Sequence, residues 1–319
     1  MPKPITKKQN LDNNKGLIEI EKPAPSDYIF GGKEVKEQVD LQPDGDWSKF
    51  LPNYEAQKRG FETWACVSFA VNNAIEVLIR KKYNIQANFS DRYLAKVSDT
   101  IIGRGNLFSE VAQAVRDHGL VSESAYPYGG ESVNEYYQEV PQSVINEGEN
   151  FNQNYSFEYE WVDWSEANKK RLAQGLKKSP LVVSLYAWNE SLRKNGIYQD
   201  PNHNKTNHAV LLFDFKEEEY LKVFDHYEQK VKKLAWDHYI GAAMKFSLNK
   251  RTKFKLIRAW NGSKVYAVDA QNKLHHIKPN MDALWAGVEA GFWDKNIELT
   301  TKNKIESYEM AEDIILKDN

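Results

Sequence analysis

A single cysteine, Cys66, occurs in the 319 residues, and its setting suits a nucleophile. In TWACVSFAVNNAIEVLIRKKY the apolar Val67, Ala70, Val71, Ala74, Ile75, Leu78 and Ile79 recur at helical spacing. That spacing predicts a mostly buried helix with Thr63 as N-cap and Cys66 in the first turn. A thiol is a weak nucleophile until it ionises, and a helix N-terminus beside an imidazolium lowers its pKa. The imidazole must come from elsewhere in the chain. His208 opens the apolar run NHAVLLFDF, where a strand would hold it rigidly. A third group should accept from the other ring nitrogen and set the tautomer. Asp225 ends the next strand-like run, 225 − 208 = 17 residues on, about one hairpin. A lone cysteine at an apolar helix start is also an ordinary small core residue, so spacing alone leaves both readings open.

The other histidines have plainer readings. His118 belongs at a helix end on the surface, and His203, His226 and His238 read as solvent-facing or hydrogen-bonded structural groups. His275 and His276 would fall on opposite faces of a strand, a poor clamp for a metal. One cysteine also excludes an intrachain disulfide and a cysteine-rich zinc site. Neither a metal nor an organic cofactor is expected.

Helices are expected at Ser90–Val97, with Ser90 as N-cap, and at Phe108–Asp117, ended by His118-Gly119. After the Tyr126-Pro127-Tyr128-Gly129-Gly130 turn, strands are expected at Ser156–Asp163, Leu181–Tyr186, Ala209–Phe215 and Tyr220–Phe224, with one helix at Ser165–Lys178. Helices first and strands later imply an α+β chain of two packed lobes. Residues 1–27, rich in Lys, Pro and Asn, read as a flexible or extended lead-in. Residues 28–53 read as short strands and connections anchored by Trp47 and Phe50. Lys264–Val268, Leu274–Ile277 and Ile297–Thr300 as strands, with Asn280–Ala290 as a helix, suggest a small C-terminal α+β appendage. The expected division is therefore 1–27, 28–256 and 257–319.

Composition narrows the function classes. The 43 Lys+Arg against 45 Asp+Glu give a net charge of −2, so no basic field exists to hold nucleic acid or anionic lipid. The longest apolar runs, such as Ala209–Phe213, fall far short of a membrane span. Met1–Lys15 lacks the apolar stretch of a secretory signal, so a cytoplasmic or virion-associated setting is expected. The oligomeric state is not legible in the pattern.

A helix-start cysteine, then Tyr-Pro-Tyr, then Gly196-Ile197-Tyr198 ahead of Asn207-His208-Ala209-Val210, then a hairpin to an acidic residue, resembles the papain-like cysteine peptidases over roughly residues 40–248. The interval 208 − 66 = 142 also suits the ~130–150 residues between nucleophile and histidine in that family. ACVSFAVNNAIE is similar to its central helix, and GNLFSEVAQAVRDHGLVSESAYPY to its segment of paired glycines, helix and Tyr-Pro-Tyr. The lone cysteine resembles disulfide-free bacterial and phage-encoded members.

The resemblance implies a two-lobed fold, a helical lobe and a β-barrel-like lobe. It also implies an extended peptide or protein substrate and catalysis by Cys66, His208 and Asp225. The backbone at Gly105-Asn106 and the side chains of Leu107 and Ala209 would contact the substrate. The family's oxyanion glutamine stands six residues before the cysteine, where this chain has Gly60; Gln57 is the candidate, three residues further back. Glu62 is nearer, but a carboxylate only accepts hydrogen bonds. Asp225-His226-Tyr227-Glu228 replaces the family's Asn-Ser-Trp-Gly, which implies that the indole shielding that site is missing. A peptidoglycan-peptide endopeptidase, and a papain-like module kept for binding or structure, for example in a phage particle, are the competing readings.

Overall fold

The computed structural model describes residues 15–18, 29–30, 40–163, 169–201, 204–227 and 230–251, and short segments at 255–259, 264–268, 273–278, 298–300, 305, 309–310 and 314–315. Strand β1 is Ile29–Phe30 and a short 3-10 turn covers Ser48–Phe50. Helices follow: α1 Cys66–Tyr83, α2 Asp91–Val97, α3 Phe108–His118, α4 Val133–Tyr136 and α5 Gln142–Asn154. Then come β2 Tyr155–Val162, α6 Lys169–Lys178, β3 Leu181–Leu185, β4 Arg193–Lys194 and β5 Ile197–Tyr198. The hairpin strands β6 His208–Lys216 and β7 Tyr220–Phe224 precede β8 Val231–Ala235 and β9 Ala242–Lys250.

Helix α1 is buried along its whole length from Cys66 to Ile79, polar residues included. Asn72, Asn73 and Glu76 have hydrogen-bond partners there, while Ser68 Oγ has none among the described residues. Asn72 Nδ2 donates to Asp91 Oδ1 at 2.9 Å, and Phe89 N–H donates to Glu76 Oε1 at 2.7 Å. Burial raises the pKa of both carboxyls well above the ordinary carboxylate range. Ser90 caps α2 by accepting from Tyr93 N–H, and Gly119 closes α3, both as expected. Thr63 does not cap α1. The residue before the helix is Ala65, which offers no side-chain cap, and Thr63 Oγ1 donates instead to the Gln57 carbonyl at 3.3 Å. The first-turn N–H groups of α1 therefore stay uncommitted to a cap.

The strands form a mixed sheet in the order β1-β2-β9-β3-β6-β7-β8-β5-β4. Residues His208 to Asp214 of β6 are consecutively buried, which needs cover on both faces. Helices α1 and α6 both pack on β3 and β6 and supply it. Trp47 anchors this part of the core as expected, its Nε1–H donating to the Leu176 carbonyl at 2.7 Å. The register sets Leu185 opposite His208, and the hairpin runs on through β7 to Asp225. Residues 164–168 and the expected helix at Asn280–Ala290 lie outside the described residues.

The chain divides into two compact units, residues 1–152 with 157–248, and residues 153–156 with 249–319. In the second unit, strands β10 Lys255–Ala259, β11 Val265–Val268 and β12 Lys273–Lys278 form an antiparallel ladder. Glu298–Thr300 adds to its β10 edge in parallel. Leu274 and Val268 pack with Ile305 beneath it.

Candidate active site

The first turn of α1 and the start of β6 bring Cys66 and His208 into one buried site. The amides of Ala209 and Val67 serve the Cys66 sulfur as hydrogen-bond donors. His208 Nε2 meets Asp225 Oδ1 at 2.7 Å, with both side chains fully buried. Its Nδ1 is buried and has no hydrogen-bond partner among the described residues. Since an ionised carboxylate can only accept, Nε2 carries a proton and Nδ1 is the nitrogen left for chemistry. Burial raises the pKa of Asp225, but the positive charges and hydrogen bonds of His208 and Lys232 outweigh it and hold the carboxyl below its ordinary range.

Gln57 is fully buried nine positions before the cysteine. Its Nε2 donates to the Lys15 carbonyl at 3.0 Å and to Glu62 Oε1 at 2.8 Å, and lies 3.0 Å from the Tyr227 hydroxyl. The carbonyl and the carboxylate only accept, which orients the amide with its NH2 toward the site. Tyr128 and Tyr137 tie down the loop between Gln57 and the helix, donating to the carbonyls of Gln57 at 3.3 Å and Thr63 at 2.6 Å. Trp64 sits at φ 55°, a left-handed conformation that costs a bulky residue energy and is held by its N–H bond to Glu62 at 3.1 Å.

Three contributors were not legible as such. Glu62 supports Gln57 by taking donors from the Gln57 amide, the Trp64 N–H and the Tyr227 hydroxyl. Trp188, in the loop after β3, supplies the indole that the Asp-His-Tyr-Glu sequence was expected to lack. Its Nε1–H donates to Asp225 Oδ2 at 2.7 Å, and its ring stands edge-on to His208 at 6.2 Å. Lys232 donates to the same Oδ2 at 2.6 Å. Its inward position follows the alternation of β8, where Lys232 and Leu234 are buried while Val231 and Lys233 are exposed. Reading that period through a lysine would have found it.

The lead-in contributes as well. Residues 15–18 lie along the expected substrate-binding backbone: Asn106 N–H donates to Gly16 O at 3.0 Å, Ile18 N–H to Asn106 O at 2.9 Å and Lys15 N–H to Asn207 O at 3.1 Å. Gly16 has φ +110°, and a Cβ there would meet the Trp64 carbonyl oxygen at 2.2 Å. Gly105 has φ +88°, and its Cβ would meet the Gly16 carbonyl oxygen at 1.7 Å. Only glycine at both positions lets the two backbones approach this closely. Asn106 is fixed from behind by Nδ2 bonds to Ser98 O at 2.7 Å and Thr100 Oγ1 at 3.2 Å. Leu107 is half-buried beside it. Cys66 is only 1% exposed, and burial pushes its thiol pKa up against the lowering effect of the Ala209 amide, with the Glu62 and Asp225 charges adding to the rise.

His226 is structural, as expected. Nδ1 donates to the Glu55 carbonyl at 2.6 Å, and Nε2 accepts from Asn73 Nδ2, the pattern of a neutral ring. Burial brings its pKa down to about 4 from 6.5. The folded state therefore refuses a proton that the unfolded chain takes near 6.5. This stability contribution is complete above that pH and is lost as the pH falls toward 4, amounting to roughly 3 kcal/mol. His226→Gln should melt below the parent at about pH 7, and the gap should shrink at about pH 4.5; a gap independent of pH would contradict the assignment. His118 is exposed at the end of α3, and His203 lies outside the described residues.

A family model described as papain family cysteine protease matches residues 46–250. Among solved structures, digestive procathepsin L 3 from the larval midgut of Tenebrio molitor superposes with TM-score 0.53 at 17% identity, over 74% of this chain and 77% of that one. A structure from work on the mite allergens Blo t 1 and Der p 1 superposes with TM-score 0.52 at 17% identity, over 72% and 75% of the two chains. A search of curated proteins finds no match.

Proposed function

The chain belongs to the papain family of cysteine proteases, and from that premise we propose that it is an endopeptidase acting through a Cys66 thiolate and a His208 imidazolium. The observation that carries this reading is the arrangement of His208. Its Nε2 is committed to Asp225, its Nδ1 is buried without a partner, and the next residue's amide serves the Cys66 sulfur. In the proposed cycle His208 takes the thiol proton, the thiolate attacks a peptide carbonyl, and His208 returns the proton to the leaving amine. Water then adds to the thioester with His208 as base, which releases the acid and restores the thiol. Gln57 Nε2 and the Cys66 N–H would hold the oxyanion. The Gln57 hydrogen that now bonds the Lys15 carbonyl is the one a substrate carbonyl would take. The backbone of Gly105, Asn106 and Asn207 would receive the extended peptide, with Leu107 and Ala209 lining its path.

Digestion of a denatured protein mixture by the full chain, read by mass spectrometry, tests the proposal. Internal cleavages that vanish with Cys66→Ala are expected. Cleavage confined to peptidoglycan stem peptides would reassign the substrate class. No cleavage, together with a thiol inert to iodoacetamide at every pH, would leave a binding or structural module.

The oxyanion assignment has its own expected result. Gln57→Ala should lower kcat by about 10²–10³ with little change in KM. Glu62→Ala should cost less, because it loosens the amide without removing the donor. A loss below tenfold for Gln57→Ala beside a crippled Glu62→Ala would reverse the assignment.

A further inference from the structure

Lys232 belongs to no part of the cycle just described, yet it ends on the carboxylate that orients His208. The Asp225 carboxylate accepts four bonds: from His208 Nε2 at 2.7 Å and His226 N–H at 2.8 Å on Oδ1, and from Lys232 Nζ at 2.6 Å and Trp188 Nε1 at 2.7 Å on Oδ2. That saturates its lone pairs. Lys232 Nζ also donates to the Tyr227 carbonyl at 2.6 Å and stands 4.9 Å above the Trp188 ring, while its side chain is 2% exposed. The ammonium is thus fixed by three residues on two loops, and a surface ion pair would show none of this order.

We propose that Lys232 is a positioning residue that cancels the charge of Asp225, so that His208 is held by an acceptor of fixed geometry but little net field. This rests on the function proposed above. An unpaired Asp225 anion would bind the imidazolium too tightly for it to return its proton to the leaving amine. With Lys232 opposite, the carboxylate keeps its place and its hydrogen bond while the imidazolium senses a near-neutral pair.

The other groups around His208 and its partners do not supply that cancellation. Glu62 is itself anionic when ionised and is engaged by Gln57, Trp64 and Tyr227. Tyr227 stands edge-on to the imidazole at 5.2 Å, and burial keeps its hydroxyl protonated. His226 is neutral near pH 7, its pKa brought down by burial. Burial likewise favours the neutral Cys66 thiol, and the Lys15 ammonium lies over the Tyr227 ring at 4.3 Å, not on Asp225.

The experiment compares Asp225→Asn, Lys232→Met and the double variant in the full chain. The readouts are the NMR titration of His208, taken in a Cys66→Ala background, and kcat/KM against pH with Cys66 intact. Lys232→Met should raise the His208 pKa by about one unit or more and move the alkaline limb of kcat/KM upward. Asp225→Asn, which strands a buried ammonium beside the ring, should lower that pKa and most of the activity. The double variant leaves no charge unpaired and should bring the titration back toward the parent, with activity about tenfold or more above Asp225→Asn. A purely structural lysine would move none of these titrations. An unchanged His208 titration in Lys232→Met, or a double variant no better than Asp225→Asn, would overturn the proposal. Should Lys232→Met fail to fold, the rescue comparison decides alone. The titration needs no turnover, so a chain that hydrolyses nothing would sink the function and still leave this inference decided.

Discussion

Cys66→Ala is expected to abolish peptide hydrolysis, a loss on the order of 10⁴–10⁶ in kcat, while the melting temperature moves by only a few degrees. The first part follows from nucleophilic catalysis: with no sulfur there is no thioester route, and only the background from binding and oxyanion contacts remains. The second follows from size. The thiol is buried, but it fills little space, and its removal leaves the Ala209 and Val67 amides without a weak acceptor and opens a void of about one atom. His208→Ala should remove activity to a similar extent, since Asp225 keeps its bonds from Lys232 and Trp188 and the fold keeps its buried charges paired. Turnover by purified Cys66→Ala, verified by intact mass, would refute the nucleophile assignment.

Displacing residues 15–18 is expected to raise both thiol reactivity and turnover by about tenfold or more. The segment holds the Asn106 backbone, the Asn207 carbonyl and a Gln57 hydrogen, the groups an incoming peptide would need. It also lies against Trp64, two residues before Cys66, whose thiol pKa is raised by burial. A thiolate is the alkylated species, so a group held protonated reacts slowly near neutral pH. Gly16→Ala is the smallest change that breaks the contact, because its Cβ would fall 2.2 Å from the Trp64 carbonyl oxygen and φ +110° does not suit alanine. Iodoacetamide labelling of Cys66 between about pH 5 and 8 should shift to lower pH in Gly16→Ala, with a parallel rise in kcat/KM. Identical labelling curves for parent and variant would show that the segment does not control access.

Local pattern carried the elements of the site a long way. The helical period after Cys66, the apolar run behind His208 and the hairpin spacing to Asp225 each depend on neighbours in sequence, and each element lies where expected within a residue or two. The resemblance supplied Gln57, and the structure places its amide among the site's polar groups even though the intervening loop is longer than the family's. What sequence could not determine was which distant groups would neutralise, shield and cover these residues. Trp188, Lys232 and Lys15–Ile18 reach the site across 37, 7 and 42 positions, through side chains and backbone that no local period ties to it. Alternation in β8 turns Lys232 inward but does not say which acid it meets, and the composition of the lead-in does not say that Lys15–Ile18 will bond to Asn106 and Gln57. The first is set by desolvation, a property of the packed molecule: removing Asp225 from water requires a buried cation beside it, and only the tertiary fold decides which cation that is.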